Sequence, residues 1–324
     1  MKNVINRAFM AKKRILFVLA AVCLFAASSW AQCSYDTQDL TINFKRKPAG
    51  LLDGNFSVSA TKKVAFAGGN LQYTKSTGKW KIMDHQYDVV EANEQNVGTD
   101  YASQDVVTLF GWGTSGWESD TRTADFPYNT SSTNSDYGVL ATKSSSETLT
   151  TATTNGEKGD WGVFNSGDLG SGWRTLTTQE WEYLFNSRNP GNSVNGVSNA
   201  RYTEATINTD GTAVNGIILF PDDAVMTTVS GVTWGAINIF SAWGTQCTSS
   251  GWTALETAGC VFLPAAGVRN GNSVVGVGVY GRYWSSSANS ATNAYNLYFR
   301  SGGLDRQFEE NRYMGCSVRL VQDL

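Results

Sequence analysis

Few residues in this 324-residue chain have the types and spacing needed for chemistry. It holds one histidine, His85, and five cysteines. A serine-histidine-aspartate triad would have to run through His85, and a zinc site built on two or three imidazoles cannot form within one chain. His85, beside Asp84 and Tyr87, reads as a strand-end residue. The acidic pairs Asp222-Asp223 and Glu309-Glu310 are sequence neighbours. Neighbours on a strand point apart, so both pairs make poor acid/base couples and read as solvated turns. Asp222, Asp223 and Asp305 offer hard oxygen ligands, which leaves calcium as the one cofactor to consider, although no spaced acidic motif supports it. Gly276-Val277-Gly278-Val279-Tyr280-Gly281 has the glycine spacing of a phosphate loop but follows no strand-to-helix pattern.

The start of the chain places these residues in a compartment. Lys2, Arg7, Lys12, Lys13 and Arg14 precede thirteen apolar residues, Ile15 to Ala27, and then Ser29-Trp30-Ala31. That order reads as a signal peptide over residues 1–31, because the apolar run is too short for the ~20 residues that span a bilayer. The expectation is an exported chain, secreted, periplasmic or held at the cell surface, and not membrane-spanning. Lipidation at Cys33 competes with cleavage after Ala31, but Trp30-Ala31-Gln32 puts a large amide where a lipobox wants a small residue. Removing the five leader cations moves the formal net charge from −3 to −8, which argues against nucleic acid as a partner. An oxidising compartment permits disulfides among Cys33, Cys247, Cys260 and Cys316, and the sequence does not choose a pairing.

Composition then describes the frame. Charged residues make up 16% and aromatics 12%, with 11 tryptophans and 33 glycines. Ordinary domains carry about 25% charged residues, so this is a folded, weakly charged, Trp- and Gly-rich chain and neither disordered nor a basic nucleic-acid binder. Residues 32–55 read as a polar lead-in. From Phe56 the pattern is β, with Asn70 to Thr74 and Trp80 to Met83 forming a hairpin across the turn at Ser76 to Lys79. Residues 121–154 read as a long Ser/Thr/Asn-rich loop. Thr177-Thr178-Gln179-Glu180 is a capping box, followed by Trp181, Leu184 and Phe185 on one helical face and stopped at Asn189-Pro190-Gly191. A second short helix is expected at Ser250 to Thr257, then a buried strand at Cys260 to Pro264. Strands at 281–287, 294–299 and 316–321 close the chain. No repeat of 20 to 50 residues is present. The expectation is one α+β domain over residues 56–324, with a front half at 56–160 and a motif-bearing half at 161–324.

Two motif groups carry a family resemblance. Trp173-Arg174-Thr175-Leu176-Thr177-Thr178-Gln179-Glu180-Trp181 resembles a segment of the formylglycine-generating, sulfatase-modifying enzymes, with Thr where that family has Pro. Tyr283-Trp284-Ser285-Ser286-Ser287, the aromatic strand at 294–299 and Ser317-Val318-Arg319-Leu320 resemble the Fibrobacter succinogenes major paralogous domain. The resemblance spans roughly 160–324, and 56–117 is similar to the usual front half of such secreted proteins. It implies a C-type-lectin-like fold: loop-rich antiparallel β-structure with two short helices. Thr177, Glu180, Trp181, Trp284 and Arg319 then read as structural residues, the tryptophans as core bodies and Arg319 as a fork of donors for neighbouring carbonyls.

The same resemblance supplies a catalytic alternative. Formylglycine-generating oxidases need two neighbouring cysteines near the C-terminus, and this chain offers only Cys316 there, 56 residues from Cys260. The related sulfoxide synthases need several histidines. The favoured reading is therefore an exported, non-catalytic recognition module displaying polar and aromatic loops to a glycan or protein partner, with Trp112, Trp117, Tyr283, Asn289, Asn293 and Tyr295 as contact residues. Within it, the Tyr/Asn/Ser-rich segment 283–312 could be a diversified surface. The alternatives are a degenerate sulfatase-modifying-type thiol oxidase and a structural cell-surface subunit.

Overall fold

The computed structural model describes residues 31–35, 42–46, 50–74, 76–89, 106–113, 149, 160–209, 211–270, 273–290 and 292–324. The segment 1–30, Trp117 and, Leu149 aside, the loop 121–154 lie outside the described residues. The chain forms two units divided at Gly50. In the first, β1 (Ala31–Tyr35) and β2 (Ile42–Arg46) pair antiparallel. An irregular lead-in is the expectation there, but Ile42 and Phe44 alternate with Asn43 and Lys45, a period-two pattern that a strand satisfies.

The second unit begins with β3 (Phe56–Ser57), β4 (Lys63–Phe66), β5 (Leu71–Thr74), β6 (Lys79–Ile82) and β7 (Val106–Val107). The expected hairpin is β5 with β6, closed by the pair Thr74 and Lys79. Its turn needs a left-handed residue, and Gly78 supplies it at φ +63°. Next come α1 (Trp161–Phe164), α2 (Ser166–Leu169), β8 (Trp173–Thr175) and α3 (Thr178–Glu182), which continues as a π-helical turn over Tyr183–Ser187. The capping box is formed: the Glu180 amide donates to Thr177 Oγ1 at 3.2 Å, and the Thr177 amide donates to Glu180 Oε2 at 2.9 Å. Trp181, Leu184 and Phe185 are buried on one side.

Then follow β9 (Ser193–Val194), β10 (Val197–Ser198), β11 (Tyr202–Thr209), β12 (Thr212–Leu219), β13 (Val225–Met226), β14 (Val232–Thr233) and β15 (Thr245–Thr248). The second expected helix is α4 (Ser249–Thr257), started by Thr248, whose side chain accepts from the Gly251 amide. The chain ends with β16 (Val261–Pro264), β17 (Ala266–Asn270), β18 (Ser273–Val277), β19 (Tyr280–Ala288), β20 (Asn293–Arg300), β21 (Gly303–Asn311) and β22 (Leu320–Asp323). The architecture is α+β and β-rich, with mixed, mainly antiparallel sheets. Four α-helical segments stand among the described residues where two are expected. The extra ones, α1 and α2, are four residues each, too short to leave a helical period in the sequence.

Two five-stranded sheets, ordered β14-β15-β11-β12-β16 and β18-β17-β19-β20-β21, carry most of the second unit. The last strand lies between β4 and β8 in a third sheet, so the C-terminal segment closes onto the front half. The expected strand at 316–321 becomes regular only at Leu320, and before it Cys316 and Ser317 make single bridges to Phe110 and Tyr283. Trp112, Trp161, Trp173, Trp181, Trp252 and Trp284 are fully buried. In a chain of low aliphatic content these indoles supply the interior volume. Among the described residues no helix is long and apolar enough to cross a membrane.

Candidate functional site

The expected structural residues sit in the interior. Arg319 is fully buried and donates from Nε to Asn70 Oδ1 at 2.9 Å, from Nη1 to the Ala67 carbonyl at 3.0 Å, and from Nη2 to the Phe262 carbonyl at 2.9 Å and the Gln86 carbonyl at 3.3 Å. One guanidinium thereby ties the loop before β5, the segment after β6 and strand β16 to the C-terminal segment. Burial holds this guanidinium below the usual arginine range. The Trp284 indole donates to the Phe110 carbonyl at 2.6 Å. Glu180 does more than cap: both its oxygens accept from Arg174, which also reaches Asp323.

The expected contact residues divide. Trp112 and Tyr283 are fully buried and are core residues. The Trp112 indole donates to the Ser285 carbonyl at 2.8 Å beneath Arg312, and Tyr283 donates to the Pro264 carbonyl at 2.8 Å. Both have a polar tip satisfied indoors, which an aromatic-rich pattern cannot distinguish from a surface role. Trp117 lies outside the described residues. Asn289, Asn293 and Tyr295 are half-buried. Asn289 and Asn293 close the β19–β20 connection, where the Asn293 carbonyl accepts from the amides of Asn289 and Ser290 at 3.0 Å each. Tyr295 shares its face of β20 with Leu297 and Phe299, which belong to the core beside α3.

The opposite face of the same strands brings together residues that sequence reasoning missed. Arg282 on β19 is flanked by Tyr280, Tyr298 of β20 and Phe308 of β21, its guanidinium carbon lying 5.5, 5.1 and 4.7 Å from the three ring centroids. The rings touch in turn, Tyr280 to Tyr298 at 6.0 Å and Tyr298 to Phe308 at 5.0 Å. Glu310 forms an ion pair with Arg282. Cross-strand register builds this cluster: Arg282 lies opposite Tyr298, Asn296 opposite Phe308, and a bulge between Asn296 and Tyr298 keeps Phe308 on the face. The five side chains are all half-buried, so the cluster is an accessible aromatic surface with its charge internally balanced.

With Arg282 Nη1 paired to Glu310, two buried polar atoms beneath this face lack a partner, Asn296 Oδ1 and Arg282 Nε. Asn296 is fully buried; its amide nitrogen donates to the Phe308 carbonyl at 3.2 Å, and its Oδ1 accepts from nothing. Arg282 Nε likewise donates to nothing. Buried polar atoms are nearly always satisfied, and these two lie beneath the rings, out of reach of a ligand on the surface. The sequence signal that could have found the face is the i, i+2 spacing of Tyr280 and Arg282 combined with Tyr298.

The other chemical candidates are committed elsewhere. Asp222 is buried, in place of the expected solvated turn, because its carboxylate accepts from the Ser57 amide at 3.0 Å and pairs with Arg188 at 3.3 Å and Lys63 at 3.2 Å. Asp305 is exposed and accepts from the Gln307 amide, and Asp223 is exposed. No cluster of three or more His, Cys, Asp or Glu residues is present among the described residues. His85 is exposed, stacks on Tyr87 at 5.0 Å and faces Asp88 at 3.4 Å. Cys247, Cys260 and Cys316 are buried free thiols. Cys316 packs with Trp112 and Trp284, whereas Cys247 and Cys260 belong to a separate apolar cluster around Trp252. Burial pushes the Cys316 thiol up to about 12, well away from the thiolate form. No family model, characterised protein or solved structure matches the chain.

Proposed function

We propose that the chain is an exported, non-catalytic recognition module of C-type-lectin-like architecture that binds neutral glycans on the face formed by Tyr280, Arg282, Tyr298, Phe308 and Glu310. The observation that carries this reading is the gathering of three half-exposed rings, Tyr280, Tyr298 and Phe308, around the Arg282 guanidinium on one sheet face. Flat rings suit the apolar face of a sugar, and the Tyr280 and Tyr298 hydroxyls can exchange hydrogen bonds with its hydroxyls. The Arg282–Glu310 pair cancels charge within the cluster, which favours a neutral ligand over an acidic one. The low charge of the chain and its leader-like start support an extracellular setting. A protonated, buried Cys316 in a different apolar cluster from Cys247 and Cys260 supports recognition over thiol oxidation.

Screening residues 32–324 against printed neutral and acidic oligosaccharides tests the proposal. Binding to neutral glycans is expected, with a loss of roughly tenfold or more in the Tyr298→Ala, Phe308→Ala double variant, the equivalent of about 1.4 kcal/mol. Neutral-glycan binding that survives the double variant would place the site elsewhere. Exclusive capture of acidic glycans or of a protein would refute the neutral-glycan reading.

A further inference from the structure

The glycines of Gly276-Val277-Gly278-Val279-Tyr280-Gly281, whose spacing mimics a phosphate loop, lie beside the recognition face and make room for aromatic rings. Gly267 on β17 pairs with Gly281 on β19, and the flanking pairs Ala266 with Val277 and Val268 with Val275 put Gly276 on β18 opposite Gly267. Three adjacent strands therefore carry no side chain along one row. Rings fill the space. A β-carbon on Gly281 would overlap the ring of Phe299, which belongs to the core. A β-carbon on Gly276 would overlap Cζ and Cε1 of Tyr280 and lie 2.7 Å from its Oη. Close approach to adjacent ring atoms and the hydroxyl together places that β-carbon over the face of the ring instead of beside its edge. The Tyr280 ring thus lies flat on the Gly276 main chain, an approach that only glycine permits.

We propose that Gly276 is a positioning residue of the recognition face: it seats the Tyr280 ring and so fixes it beside the Tyr298 ring, 6.0 Å away. The link to ligand binding rests on the recognition reading above, whereas the seat stands on the geometry alone. Tyr280 is the first residue of β19, and its cross-strand neighbour Arg300 is exposed, so support for the ring comes from β18. A ring held before binding loses no rotamer freedom when a sugar stacks on it. Any side chain at position 276 would lift the ring and tilt it away from Tyr298. Gly278 provides the comparison that separates this effect from backbone strain. Gly276 and Gly278 share a φ of +75°, yet a β-carbon on Gly278 would meet nothing within 4 Å. Alanine at either position carries the same dihedral strain, and only alanine at 276 displaces the ring.

Proton NMR of the full exported chain, without ligand, tests the seat. The Gly276 α-protons should be moved upfield by the ring current in the wild type and in Tyr280→Phe, which keeps the ring. They should return to ordinary positions in Tyr280→Leu. Unshifted α-protons in the wild type, or an upfield shift that survives Tyr280→Leu, overturns the seat. Neutral-glycan binding tests the positioning. Gly276→Ala should weaken binding by roughly fivefold more than Gly278→Ala, and that excess should vanish when Tyr280 is already alanine, because both changes act through one contact. Equal losses in the two alanine variants, or an excess that persists without the Tyr280 ring, overturns the positioning role. If Gly276→Ala fails to fold while Gly278→Ala folds, adding Tyr280→Ala should restore folding by removing the clash, and a double variant that stays unfolded overturns the seat. Absence of neutral-glycan binding by the wild-type chain, with the upfield signals present, refutes the recognition reading and leaves the seat standing.

Discussion

Replacing Arg319 by methionine removes the donor fork while keeping most of the side-chain volume, and it isolates what the polar clamp contributes. Four acceptors lose their partner: Asn70 Oδ1 and the carbonyls of Ala67, Gln86 and Phe262. All four bonds are buried, so water cannot reach these groups without opening the interior. At ~1 kcal/mol of net worth per bond, and more for each acceptor left dry, the loss is several kcal/mol. The relief of no longer burying a cation opposes it, since burial already disfavours the charged guanidinium. Breaking one side of a buried charged network typically costs ~3–5 kcal/mol even so. The expectation for Arg319→Met is therefore a loss of roughly 4 kcal/mol, or about 8–16 °C in Tm for a domain of this size. Arg319→Lys keeps the charge but not the planar fork and should fall between the two. Calorimetry with tryptophan fluorescence as a second probe measures this. A methionine variant within ~1 kcal/mol of wild type would show that the clamp does not hold these segments together.

Thr177→Ala removes the acceptor for the Glu180 amide and should lower stability by ~1 kcal/mol, read from denaturant midpoints at unchanged slope. Little change would mean that the Arg174–Glu180 pair fixes the helix start without the cap. Thiol alkylation followed by mass spectrometry should leave Cys247, Cys260 and Cys316 unlabelled in the native protein at mildly alkaline pH and label all three after unfolding. All three are buried, and burial pushes the Cys247 and Cys316 thiols up to about 12. Rapid native labelling of Cys316 would reopen a catalytic reading of that thiol. The sign for Glu204 runs the other way from an ordinary ion-paired acid: its folded carboxyl is raised, so its share of stability is greatest at low pH and falls as pH rises through the carboxylate range.

Local chemistry was legible in the sequence wherever a few consecutive residues decide the outcome. The Thr177–Glu180 box, the turn around Gly78, the stop at Asn189-Pro190-Gly191 and the short helix ahead of Cys260 depend on hydrogen bonds and dihedrals within one or two turns of chain, so residue type alone specifies them. Arg319 as a carbonyl clamp was legible for a related reason, since an arginine in an otherwise apolar strand must find several acceptors. The β11–β12 hairpin was not read, although its turn carries Gly211 at φ +82°. Which aromatic residues face inward was decided only by tertiary structure. Trp112 and Tyr283 resemble display residues in composition, yet each finds a backbone carbonyl for its polar atom inside the core. Tyr298 and Phe308 reach the surface cluster because strand register and one bulge put them there. A side chain's face depends on pairing between strands many residues apart, and that pairing is set by how the whole chain buries its apolar surface. Glu204 is the clearest case: its three amide partners come from segments about 40 and 100 residues away, and no local pattern announces that they meet.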